Sequence, residues 1–222
     1  MEELKLFSIP VFRFKYPSHT DFKASIMPYL WDDEVWKGAG PPNSHVEFTT
    51  PNLHKMEMFN PIKMFIQQSL EEVMENLGFE PQIQLTGMWG TRHRSNQYHH
   101  RHNHANSFLA GVYYLSGTPE NSGTIFYNVH KHYTQIIPAI KTRQRLRNDW
   151  VHPFEEGTLI IFPSWLEHST HVNNLTKTNS IRHILSFNAM PLGKTTADVF
   201  DRFNFQDVSN AEMISRWDEV KR

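Results

Sequence analysis

The sequence contains no cysteine. That absence excludes disulfide frameworks, thiolate zinc sites and cysteine nucleophiles together, and it fits an intracellular setting. Net charge is nearly absent as well. At -1, the 222-residue chain has no overall basic field to draw in nucleic acid or an anionic membrane, and neither is expected as a partner. No apolar run approaches the roughly 20 residues that a membrane-spanning helix needs. The opening, "MEELKLFSIP", lacks the basic and long apolar regions of a secretion signal, so the expected location is cytoplasmic. In excess are aromatic residues (16 Phe, 7 Tyr, 6 Trp) and 14 His, 11 of which cluster between residues 93 and 183.

A chain of this length buries one sizeable core and is short for two enzymatic domains, so 1–222 is expected to be a single domain. Within it, 1–80 reads as an N-terminal edge strand with supporting helices. "LKLFSIPVFRFKY" (4–16) alternates apolar and polar residues, and Pro10 argues for a sheet edge or a bulge. A short helix is expected from about Asp21 to Trp31. A clearer one is "NPIKMFIQQSLEEVMENLG", with Asn60 as cap, Pro61 in its first turn and Gly78 at its end. Its stripe of Ile62, Phe65, Ile66, Leu70, Val73 and Leu77 predicts that it covers a sheet.

From 81 to 190 the pattern is of short strands separated by turns, near 82–92, 107–116, 123–128, 133–138, 158–163, 168–172 and 180–188. With no long helix between them, they indicate a mainly β sandwich or jelly roll rather than βαβ units. The stretch 191–222 reads as a tail with a helix near Asn210 to Val220. The run "KTRQRLR" (141–147) reads as a solvated insertion loop, and Trp89 and Trp165 as core aromatics. The N-terminal edge strand or the C-terminal helix can support a homodimer.

The histidines suggest chemistry. His100, His102 and His104 are spaced by two, so on an extended strand they share a face, and neighbouring pairs can chelate one ion. A His-x-His pair is a weak signal without a remote third ligand. The segment "FEEGTLIIFPSWLEHSTHV" (154–172) supplies His168, just past a Pro-Ser bend, with His171 as the competing choice. On "NSIRHILSFNA", Arg182, Ile184, Ser186 and Asn188 share one face and Ile181, His183, Leu185 and Phe187 the other. An inward Arg182 needs a paired anion, and no acid adjoins it, so a ligand carboxylate is the natural partner. The alternative is a surface-facing Arg182 with the His183 face packed inward.

Here the residues line up with a known family. "YYLSGTPENSGTIFY", "HPFEEGTLIIFPSWLEH" and "RHILSFN" resemble successive core strands of the iron(II)- and 2-oxoglutarate-dependent oxygenases. They are most similar to a branch common in bacteria and phages that carries a His-x-His motif, a "SGvyYL" strand, an "FPSxxxH" turn and an "RxxxSFN" strand. The resemblance spans roughly 96–190 and implies a double-stranded β-helix, a distorted, cupin-like jelly roll with its site in one mouth. It implies His102, His104 and His168 as ligands of iron(II), with His104 where most relatives place a carboxylate. It also implies Arg182 on the far carboxylate of the cosubstrate 2-oxoglutarate, assisted by Ser186 and Tyr114, with Asn188 on the same face.

Two departures stand out. No acid lies near "HRHNH", so the ion would keep its full double charge. Two alternatives to that set are His100 paired with His102, and His104 turned away to leave an open position as in halogenating relatives. The gap from His168 to Arg182 is also long, and "NNLTKTNS" is expected to form an extended hairpin loop. The implied activity is oxidative decarboxylation of 2-oxoglutarate coupled to hydroxylation of a small-molecule or side-chain substrate. The competing readings are a cupin-like three-histidine metal dioxygenase that does not use 2-oxoglutarate, and a non-enzymatic jelly-roll binding protein.

Overall fold

The structure, a computed structural model, describes residues 8–38, 40, 45–80, 82–121, 123–129, 149–173 and 181–192. The expected strand at 133–138, the basic run 141–147, all but the first residue of "NNLTKTNS" and the helix near 210–220 lie outside these residues.

Among the described residues, nine strands form two antiparallel sheets: β1 (Phe12–Lys15), β2 (Glu47–Phe48), β3 (Ile83–His93), β4 (Leu109–Ser116), β5 (Thr124–Tyr127), β6 (Asp149–His152), β7 (Thr158–Pro163), β8 (His168–Ser169) and β9 (Arg182–Pro191). The larger sheet runs β1-β7-β4-β9-β3-β2 and the smaller β6-β5-β8. As Pro10 predicts, β1 lies at an edge.

The central strands β7, β4 and β9 are nearly continuous apolar runs because both faces of their sheet are covered. Alternation divides them into two cores. Tyr113, Leu115, Leu159, Ile161, Leu185 and Phe187 pack beneath α1 (His19–Leu30) and α2 (Asn60–Asn76). On the opposite face, Val112, Tyr114, Ile160, Phe162 and Ile184 meet Phe126 of β5, together with Phe154 and Leu166. Gly111 sits where the ring of Phe187 crosses β4. A Cβ there would stand 2.2 Å from that ring and 2.6 Å from the Ile160 carbonyl, so no larger residue fits.

The start of α2 differs from expectation. A 3-10 turn, Glu57–Phe59, runs straight into the helix, and Asn60 is already helical rather than capping. The cap position falls to Phe59, which makes no side-chain cap bond but is fully buried against Phe22 and Tyr29, and packing decides the entry. Gly78, at φ +79°, ends the helix as expected, with the Phe79 amide donating to the Met74 carbonyl.

The histidine-rich segment also differs. It is not a strand: Asn96 and Asn106 take positive φ, and only an isolated bridge joins His102 to His168. His100 therefore does not share a face with His102 and His104. It is exposed and lies against His45 and Tyr98. Two short strands, β2 and β6, were not anticipated. Among the described residues, no helix is long and apolar enough to cross a membrane.

Candidate metal centre

Two remote segments are joined at the site by backbone pairing. The His102 amide donates to the His168 carbonyl at 3.0 Å, and the reverse bond is 2.9 Å. The Pro163-Ser164 bend adds a clamp, because the Ser164 carbonyl accepts from the His104 amide at 2.9 Å. This pairing brings His102, His104 and His168 together, with their ligand atoms all within 4.8 Å of one another. His171 is exposed and stands outside the group.

Each of the three rings has its Nδ1 tied down. Nδ1–H donates to the His100 carbonyl from His102 (2.7 Å), to Asn188 Oδ1 from His104 (2.5 Å) and to the Leu166 carbonyl from His168 (2.9 Å). With the protons there, every Nε2 carries a lone pair. The Nε2 atoms of His104 and His168 stand 3.3 Å apart, an unfavourable approach for two lone pairs unless a cation lies between them. Two nitrogens each about 2.1 Å from one ion are about 3 Å apart when they subtend a right angle. Burial depresses all three rings: His104 to about 4, His168 well below the ordinary value, and His102 more modestly. They are neutral at pH 7, the state in which imidazole binds a metal. Three anchored, neutral, convergent imidazoles fit a divalent ion.

Arg182 faces inward, fully buried. Its Nη1 donates to His93 Nε2 at 2.9 Å, while Nε and Nη2 have no partner. Burial lowers the guanidinium to about 10, so it stays charged at neutral pH. Two orphaned, charged donors in an apolar core are costly, and a carboxylate accepting from both would relieve that cost. Ser186 is buried on the same strand face. The Tyr114 ring lies 6.0 Å from the guanidinium, but its hydroxyl donates to Thr124 Oγ1 at 2.9 Å. Asn188 engages His104 rather than Arg182.

Two residues at the site escaped the sequence. His93 lies opposite Arg182 in the β3–β9 ladder, which a reader with the register in hand would have found. His99 stacks on His102 with ring centroids 4.0 Å apart. Burial, helped by the nearby His102, His104 and Arg182, drives it down to about 2. Trp89, read as core, is only half-buried and stacks on His104 at 5.8 Å. Trp165, also read as core, is 51% exposed.

Residues 87–188 match the family model described as 2OG-Fe(II) oxygenase, a span that includes all of these site residues. No curated protein matches the sequence. Solved structures share the fold. One is HygX from Streptomyces hygroscopicus with nickel, 2-oxoglutarate and hygromycin B bound, at 14% identity over 92% of this chain and 95% of that one, TM-score 0.58. A Pseudomonas putida prolyl-4-hydroxylase matches at 11% identity over 85% and 96%, TM-score 0.58. The α-ketoglutarate-dependent epimerase SnoN from nogalamycin biosynthesis matches at 10% over 83% and 79%, TM-score 0.59. The antiparallel core is thus the double-stranded β-helix, and its residues 87–188 are similar to the 2OG-Fe(II) oxygenase family.

Proposed function

We propose that His102, His104 and His168 hold the iron(II), that Arg182 grips the far carboxylate of 2-oxoglutarate, and that the enzyme hydroxylates a small-molecule or side-chain substrate. The carrying observation is the set of three imidazoles whose anchored Nδ1–H groups leave three convergent Nε2 acceptors. When bound, iron(II) and 2-oxoglutarate supply oxygen activation, with one oxygen atom ending in succinate beside carbon dioxide and the other in the hydroxylated product.

The protein's part is placement and dryness. Asn188 and the carbonyls of His100 and Leu166 fix ring orientation and tautomer. Arg182 offers Nε and Nη2 as a fork, and His93, neutral through burial, holds the third nitrogen and so the plane of the fork. Ser186 adds a hydroxyl on that face. Tyr114 can assist only by leaving Thr124; in its present position it forms a wall with Phe154. Phe126, Phe162 and Leu166 keep water from the interior.

The orphaned guanidinium favours this reading over a three-histidine dioxygenase without 2-oxoglutarate, which has no use for a buried fork. The lack of cysteine supports a cytoplasmic enzyme, and the edge position of β1 supports pairing with a second copy. The test is turnover: iron(II)-loaded protein in air should release labelled carbon dioxide from 1-labelled 2-oxoglutarate. His168→Ala and Arg182→Ala should not. Release no faster in the parent than in His168→Ala would refute the assignment.

A further inference from the structure

The proposed metal ligands are three imidazoles with no carboxylate among them, and the consequence is one of charge. As ligands His102, His104 and His168 bring no charge to an ion, Arg182 carries one positive charge and a divalent ion two, whereas 2-oxoglutarate brings two negative charges. One positive charge is left over, where a carboxylate in place of His104 would cancel it. Uncompensated charge is expensive in a site walled by apolar side chains. The neighbouring carboxylates are committed elsewhere: Glu47 to Arg92 and Arg94, Asp33 to the same two arginines, and Glu167 to Arg101.

Beside His102 and His104 opens a cavity of about 260 Å³. Phe48, Pro51 and Trp89 give it apolar walls, and no carboxylate lines it among the described residues. Its polar groups include donors: a ring N–H of His99 and the side-chain amide of Asn103. Asn188 adds another, because with its oxygen turned to His104 its NH2 group is a donor in the cavity lining.

We propose that this cavity takes a monoanion, either the acid group of the substrate or a small inorganic ion, once the centre holds its metal and 2-oxoglutarate. The inference rests on the ligand assignment above. It makes His104 a specificity-determining residue, because its neutrality creates the demand for the anion, and it makes His99 a donor to that anion.

The test is a titration of azide into protein loaded with cobalt(II) and 2-oxoglutarate under nitrogen, followed by the visible spectrum of the metal. The parent should bind azide about tenfold or more tightly than His104→Asp, in which the charge is already balanced. His99→Phe keeps a ring stacked on His102, so its cobalt and 2-oxoglutarate spectrum should be unchanged and its azide affinity about threefold weaker. Acetate and chloride, titrated in parallel, separate the two sources: tighter acetate indicates a substrate acid, tighter chloride an inorganic ion. Should His104→Asp fail to load cobalt, the comparison moves inside the parent, where azide should bind more tightly than neutral imidazole and equal affinity overturns the proposal. Equal azide affinity in parent and His104→Asp overturns it with the metal centre intact. A parent that shows no cobalt and 2-oxoglutarate spectrum overturns it together with the ligand assignment.

Discussion

The Nδ1–H of His104 donates to Asn188 Oδ1 at 2.5 Å, across 84 residues of sequence. This bond stops the ring from flipping and decides which nitrogen faces His168. Asn188→Ala should therefore weaken metal affinity by about 10- to 100-fold with the fold intact. Competition against a chelator measures it, and unchanged affinity would show that the bond is incidental.

Replacing Arg182 should separate stability from function. The side chain is fully buried with two unpartnered nitrogens, so Arg182→Met removes a desolvated charge at similar length. The metal-free variant is expected to unfold no more easily than the parent, and to be more stable by up to about 2 kcal/mol. Its 2-oxoglutarate binding should be lost while metal affinity is kept. Denaturant melts and calorimetric titration check both halves, and a joint loss of metal and 2-oxoglutarate binding would contradict the role.

Tyr114 permits a finer distinction. Its hydroxyl bonds Thr124 in the buried interior, so Tyr114→Phe should cost about 1 kcal/mol in stability. If the hydroxyl stays on Thr124 when the site is filled, affinity for 2-oxoglutarate should fall less than tenfold. A loss as deep as that of Arg182→Met would mean that the hydroxyl swings onto the cosubstrate.

His183, on the opposite face of β9, gives a pH signature away from the proposed metal ligands. It is 5% exposed, its Nδ1 has no partner, and burial aided by Arg92 and Arg94 lowers it to about 4. The unfolded chain takes up this proton near pH 6.5 and the folded chain only near pH 4, so the unfolded state binds more protons between them and stability falls as pH falls through that window. His183→Phe should remove about 3 kcal/mol of the acid-induced loss between pH 8 and pH 4. Melts of parent and variant across that range test it, and parallel curves would contradict it.

Much of the fold was legible where pattern alone decides. The alternation in "RHILSFNA" placed Arg182, Ser186 and Asn188 on one face, and the apolar stripe of α2 predicted its covering role. What escaped depended on contacts distant in sequence. His93 meets Arg182 only through the β3–β9 register, and His99 reaches His102 only because the chain between 94 and 108 is irregular rather than extended. The short strand β6 has Trp150 and Val151 both exposed, so no alternation marked it. Asn60 had the composition of a cap but lost the position to the buried Phe59.

The most direct test is a crystal structure of the protein loaded with iron(II) and 2-oxoglutarate under exclusion of oxygen. It should show one ion bonded by the Nε2 atoms of His102, His104 and His168, with the far carboxylate of 2-oxoglutarate on Nε and Nη2 of Arg182. An ion bound elsewhere, His104 turned out of the coordination, or a carboxylate that never reaches Arg182 would contradict the assignment.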